Sequence, residues 1–162
     1  TGWTLVGSSL GGYVSMLIAQ RWPALVHNLC LLCPVMDVPA VFRNLLTDAG
    51  MARWEADGVF PFEAADGTLV PVHWDFIAEC TALPTRPPLA QPITIIHGEE
   101  DHVVPITSSE RYLHQHPHVQ LVRVHDDHAL TLSLPTILMH VHQLLGDRLP
   151  SARMDALPPE ES

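Results

Sequence analysis

The chain contains no lysine. Its eight basic residues are all arginine, set against 18 Asp and Glu, and the formal net charge is -10. With no basic stripe to meet phosphates, this acidic balance argues against a nucleic-acid partner. No run of 18 or more apolar residues occurs, so no membrane-spanning helix is expected. Cysteine is scarce: Cys30, Cys33 and Cys80 lack zinc spacing, H-E-x-x-H is absent, and no metal is expected. Cys30-x-x-Cys33 has a redox spacing, but it falls in an apolar strand-like run and not at a helix N-terminus. All three are therefore read as buried free thiols of a reducing compartment, the cytoplasm. A phosphate loop is missing, and Gly7 to Gly12 does not spell G-x-G-x-x-G, so no cofactor is expected. No internal repeat is visible. What remains is 162 residues, 47% hydrophobic, enough for one domain with a sizeable core.

The most informative stretch is the first fifteen residues. Trp3 to Val6 read as a short buried strand, and Gly7-Ser8-Ser9-Leu10-Gly11 fits G-x-S-x-G with Ser9 at its centre. An apolar helical pattern follows through Val14, Leu17, Ile18 and Trp22. Such a strand, tight turn and helix strain the backbone of the central residue, and Gly7 and Gly11 are expected to supply clearance. The helix start directs the Leu10 N–H toward an oxyanion. The competing reading is a Gly-rich turn with surface serines.

Further along, Trp22-Pro23 stops the helix, and Asn28 to Cys33 predict a strand buried on both faces, ended by Pro34. Residues 37–90 differ. They predict short helices over Val41–Leu46 and Val72–Cys80, broken at Thr47 to Gly50, with no assignable strand between. The segment holds all four Phe and two of the four Trp, and it is far too long for an ordinary connection. It is read as an inserted helical cap, against the alternative of plain helical packing on a sheet face. Trp54, Phe60 and Trp74 are its candidate substrate-binding residues, and they suggest an apolar acyl group. Pro92 to His97 and Val119 to Val124 predict two more strands, with helices over Ile106–Gln115 and Leu134–Leu145. The division is thus a core over 1–146, with the cap at 37–90, and a mobile tail at 147–162.

Ser9, Asp101 and His128 each follow a different strand. In a parallel sheet the carboxyl ends share one edge, so these residues converge there. Ser Oγ needs a base, for which His128 serves, and Asp101 would hold the imidazole in the right tautomer. Glu99 and Glu100 compete with Asp101, His102 and His125 with His128, and Ser8 occupies the wrong place in the turn. His114, His116 and His118 and the pair His140 and His142 are read as structural or surface histidines.

The residues Gly7-Ser8-Ser9-Leu10-Gly11-Gly12, His97-Gly98-Glu99-Glu100-Asp101-His102-Val103-Val104-Pro105 and His125-Asp126-Asp127-His128 resemble the α/β-hydrolase family. The second of these meets the family pattern H-G-x-x-D-x-x-V-P in full. Trp74 to Glu79 also resembles a branch containing mitochondrial acyl-protein thioesterases, which also hydrolyse acyl-glucuronides, and their bacterial relatives. The resemblance implies a parallel sheet of about four strands with flanking helices and a cap, the C-terminal half of that fold. It implies hydrolysis of a carboxylic ester or thioester through an acyl-enzyme at Ser9, with Leu10 giving one of two oxyanion N–H groups. Acyl transfer and C–C bond hydrolysis would use the same triad. The sequence begins at Thr1, almost inside a strand, with neither an initiator Met nor a leader. Its first strand is therefore expected to be an open edge, inviting self-association or pairing with another chain. The rival from another class is a non-catalytic module binding a partner through that edge.

Overall fold

The computed structural model describes residues 2–64 and 66–146, and the tail predicted at 147–162 lies outside them. The core elements are β1 (Trp3–Ser8), α1 (Leu10–Arg21), β2 (Val26–Leu32), β5 (Ile93–Gly98), α4 (Thr107–Gln115), β6 (Gln120–Val124) and α5 (Leu134–Leu145). Between β2 and β5 lie α2 (Val38–Asp57), β3 (Val59–Glu63), β4 (Leu69–His73) and α3 (Asp75–Ala82).

The main sheet has strand order β1-β2-β5-β6, and every neighbouring pair is parallel. Alternation along the two central strands divides the core. Leu29, Leu31, Ile93 and Ile95 face one layer, which Met16 and Ala19 of α1 and Tyr112 of α4 complete. Cys30 and Ile96 face the other, covered by Ile137, Val141 and Leu144 of α5. Both central strands carry apolar side chains on both faces because helices lie on both sides. All three cysteines are free and buried. Burial pushes the Cys30 thiol up to about 11.

β1 departs from the buried strand its sequence predicts. Trp3 is 58% exposed and Val6 49%; among the described residues β1 pairs on one side only, with β2. The predicted apolar face of α1 is also displaced. Gly12, Tyr13, Met16 and Ala19 are buried, while Val14 and Trp22 lie largely in solvent.

The segment between β2 and β5 forms its own layer. α2 starts at Asp37, whose carboxylate accepts from the Ala40 N–H. It kinks at Thr47, which takes φ 64°, and then resumes as far as Asp57. The chain therefore breaks where the sequence predicts, but helix continues beyond the break. β3 and β4 pair antiparallel, a hairpin where no strand was expected, and Val72 and His73 belong to β4 and not to the following helix. Phe60 and Phe62 lie opposite Val72 and Val70. With Phe42, Trp54 and Trp74 they form an aromatic core, with Trp54 fully buried at its centre.

The two ends of this insert are tied together. The Val35 N–H donates to the Ser9 carbonyl (3.1 Å) and the Arg86 N–H to the Met36 carbonyl (3.0 Å). The Tyr13 hydroxyl of α1 donates to the Pro84 carbonyl (3.0 Å).

Candidate active site

Ser9 occupies the turn between β1 and α1 with φ 51° and ψ -119°. A serine held there carries about 1–3 kcal/mol of strain, which the surroundings must impose. They do so through four backbone hydrogen bonds. The Ser9 N–H donates to the Leu32 carbonyl (2.8 Å), and the Ser9 carbonyl accepts from Gly12, Val35 and Tyr13 N–H groups at 3.0, 3.1 and 3.4 Å. The turn is also crowded. A Cβ on Gly7 would collide with the Gly11 carbonyl and come within 2.5 Å of Ser15 Oγ. The clearance expected of Gly11 is not needed, since a Cβ there would meet nothing within 4 Å. It is Gly12 that must stay small, because a Cβ would lie 2.8 Å from Pro34 Cβ. Leu10 opens α1, and among the described residues its N–H donates to no backbone acceptor outside the helix. It is therefore free for an oxyanion.

Asp101 lies in the turn after β5 and is 5% exposed. Its Oδ1 accepts from the Val103 (2.9 Å) and Val104 (2.8 Å) N–H groups. Its Oδ2 lies 2.7 Å from His128 Nδ1. His128 Nε2 in turn lies 2.9 Å from Ser9 Oγ. Serine, imidazole and carboxylate thus form an unbroken hydrogen-bonded chain across 119 residues of sequence separation. Burial alone would raise the Asp101 carboxyl. Hydrogen bonds from His128, His97, the Val104 N–H and Cys33 overcome it and hold the group well below the usual carboxylate range. It is an anion at neutral pH.

The carboxylate and imidazole loops meet because Gly98 has no side chain. A Cβ there would run into the Asp126 carbonyl and lie 2.6 Å from the Asp127 carbonyl. The loops are stitched together by the Glu99 N–H on the Val124 carbonyl (2.9 Å) and the Glu100 N–H on the Asp126 carbonyl (3.1 Å). Asp126, which sequence reasoning passed over, is 4% exposed. Its Oδ2 accepts from both the N–H (2.9 Å) and the hydroxyl (2.8 Å) of Ser133, which tethers the His128 loop to the start of α5. The adjacent acids Asp126 and Asp127 gave no pattern to distinguish the buried one.

The competing residues lie elsewhere. His125 is 90% exposed and lies against Glu99 (2.8 Å), while His102, Glu100 and Ser8 are exposed. Of the proposed substrate-binding residues, Trp54 has no exposed surface. Its indole N–H donates to the Val72 carbonyl (2.9 Å), so it builds the aromatic core and offers no face to a ligand. Phe60 is half-buried against it. Trp74, also half-buried, lines a groove of about 280 Å³ with Met51, Ile77 and Thr81, and no triad residue borders that groove.

One cluster has metal-ligand proximity. Single donor atoms of Cys33, His97 and Asp101 lie within 4.8 Å of one another. Their chemistry does not suit a cation. Burial pushes the Cys33 thiol up to about 12, with the Asp101 carboxylate adding to the rise, so the thiolate ligand is disfavoured. Both Asp101 oxygens and both His97 ring nitrogens already have hydrogen-bond partners.

No protein-family model matches the sequence, and no curated protein matches it significantly. Solved structures do match. The architecture is that of the α/β hydrolases, a parallel sheet flanked by helices and carrying part of that fold. Alpha/beta hydrolase domain-containing protein 10 from mouse superposes with a TM-score of 0.71 at 22% identity, over 92% of this chain and 63% of its own. Est1E from Butyrivibrio proteoclasticus, solved with ferulic acid bound, gives 0.71 at 22%, over 90% of this chain and 59% of its own. The esterase domain of a Rhodothermus marinus protein gives 0.59 at 20%, over 88% and 58%. The chain therefore spans about three fifths of the length of each of these three proteins. Among the described residues no helix is long and apolar enough to cross a membrane.

Proposed function

We propose that this chain is the triad-bearing part of a serine hydrolase that cleaves a carboxylic ester or thioester through an acyl-enzyme on Ser9. The observation that carries this reading is the hydrogen-bonded chain from Ser9 Oγ through His128 to Asp101. His128 Nε2 takes the hydroxyl proton as Ser9 Oγ attacks the carbonyl carbon, and the Leu10 N–H faces the oxyanion that forms. The imidazolium then protonates the leaving alcohol or thiol. Water, deprotonated by the same imidazole, releases the acid and restores Ser9. Asp101 keeps the Nδ1–H directed at itself throughout. No cofactor is needed for these steps.

The insert is read as a cap over the site; Trp54 builds its core, and Phe60 and Trp74, which keep exposed surface, are the candidates left to meet an apolar acyl group. The structural neighbours include an esterase domain, and Est1E binds ferulic acid, in keeping with an ester substrate. The three free buried thiols favour the cytoplasm. Acyl transfer and C–C hydrolysis would use the same residues and differ in the acceptor or the bond broken.

A fluorophosphonate probe tests the reading. The parent protein should be labelled, and Ser9→Ala should abolish labelling. Persistent labelling of the variant, or none in the parent, rejects it.

A second reading is favoured by the sheet margin. β1 is the last strand on its side among the described residues, and Trp3, Val6 and Leu25 are exposed there. That edge can pair with a second copy of the chain. Sedimentation velocity across a concentration series should then show a dimer growing with concentration. A monomer throughout would rule this out.

A further inference from the structure

His97 is the penultimate residue of the buried strand β5, in a position the proposed chemistry does not use. Its side chain is fully buried. Nδ1 lies 2.8 Å from Ser109 Oγ on α4. Nε2 lies 2.8 Å from the Val104 carbonyl and 3.3 Å from Asp101 Oδ2. The partners fix the tautomer. A carbonyl and a carboxylate can only accept, so Nε2 carries the proton, and the Ser109 hydroxyl donates to Nδ1. The ring is therefore clamped between β5, the carboxylate loop and the first turn of α4.

We infer that His97 is a positioning residue that orients the Asp101 carboxylate toward His128, with Ser109 fixing the tautomer that does so. This rests on the Ser9–His128–Asp101 reading above. The geometry is specific. Asp101 Oδ1 is filled by two backbone N–H groups, and Oδ2 takes the His128 Nδ1–H, with His97 Nε2 lying 3.3 Å from it. Val104 is held from both sides, its N–H on Asp101 and its carbonyl on His97, so one imidazole closes the loop that presents the acid. The other titratable groups at Asp101 are the Cys33 thiol from the end of β2 and His128 from the loop after β6. Asp126, from that same loop, acts on Cys33. None of these replaces the His97 N–H on the Val104 carbonyl, which would be left buried and unpaired.

A packing role would be met by a side chain of similar volume, and a positioning role would not. In the full chain, His97→Leu should slow fluorophosphonate labelling by about 10- to 100-fold, the loss typical of a small misplacement of a catalytic group. With the His97 N–H dipole gone from beside Oδ2, the carboxylate favours the imidazolium more strongly. The acidic limb of the labelling-rate profile should therefore move up by about half a pH unit. His97→Gln, whose amide can place a donor near Nε2, should recover most of the rate and return the limb. Ser109→Ala should move both in the same direction but less, and it keeps the test open if His97→Leu does not fold. The downfield proton resonance of the His128–Asp101 hydrogen bond is read without turnover and should shift in His97→Leu and Ser109→Ala.

An unlabelled parent sinks the hydrolase reading, and the resonance then still decides the role of His97. Overturning results are an unmoved resonance in both variants, or a Gln variant whose rate and profile match those of the Leu variant.

Discussion

Asp101→Asn should lower turnover by about ten-thousand-fold while the chain stays folded. The reason lies in the inequivalence of the two carboxylate oxygens. The Oδ1 position faces two backbone N–H groups, from Val103 and Val104, and only an oxygen can satisfy them. The asparagine oxygen must therefore sit there. That puts the amide NH2 at the Oδ2 position, against His128 Nδ1, now 2.7 Å from that oxygen. Two donors cannot face each other, so His128 turns to the tautomer with its proton on Nε2. That proton points at Ser9 Oγ, and the base can no longer accept. Pre-steady-state release of an ester's alcohol, with circular dichroism as the control for folding, measures the loss. A variant within tenfold of the parent would mean that Asp101 does not set the tautomer.

Trp54→Ala should remove about 3–5 kcal/mol of stability, the largest single loss expected outside the triad. The indole is fully buried, with ring centroids of Phe42, Phe60, Phe62 and Trp74 between 5.2 and 5.9 Å away. Its N–H on the Val72 carbonyl joins α2 to the hairpin. Truncation leaves a cavity in the layer and also an unpaired carbonyl. Urea unfolding followed by far-UV circular dichroism reads the change. A loss below about 1 kcal/mol would show that the layer collapses onto the gap or adds little to the cooperative unit.

The core strands were legible because two parallel neighbours and helices on both faces demand near-continuous apolar runs, and Asn28–Cys33 and Pro92–His97 have them. The Gly7–Gly11 turn and the H-G-x-x-D loop were legible because crowded backbone demands Gly7 and Gly98 and the Val103 and Val104 N–H groups call for the acid Asp101, whereas Gly11 fits the pattern without being required. The hairpin was not. Pro61 and Pro71 sit directly opposite each other in its two strands, and proline argues against a strand wherever both edges are paired. A two-stranded ribbon has outward edges where the missing N–H does no harm. The signal was present in Phe60-x-Phe62 and Val70-x-Val72, alternating about Asp66-Gly67. The exposure of Trp3 and Val14 was hidden for a different reason. Hydrophobicity shows that a side chain prefers cover, not that the described chain supplies it. The roles of Asp126 and His97 were not legible because each rests on a loop folding back onto it, at Ser133 and at Val104, and no spacing rule assigns those contacts.

The ties at the base of the insert fasten it to the peptide of Ser9 itself. Val35 leads into the insert and hangs from the Ser9 carbonyl, while Tyr13, one turn further along α1, grips the returning chain at Pro84. Any displacement of the insert would therefore pull on the bend that holds Ser9 at φ 51°.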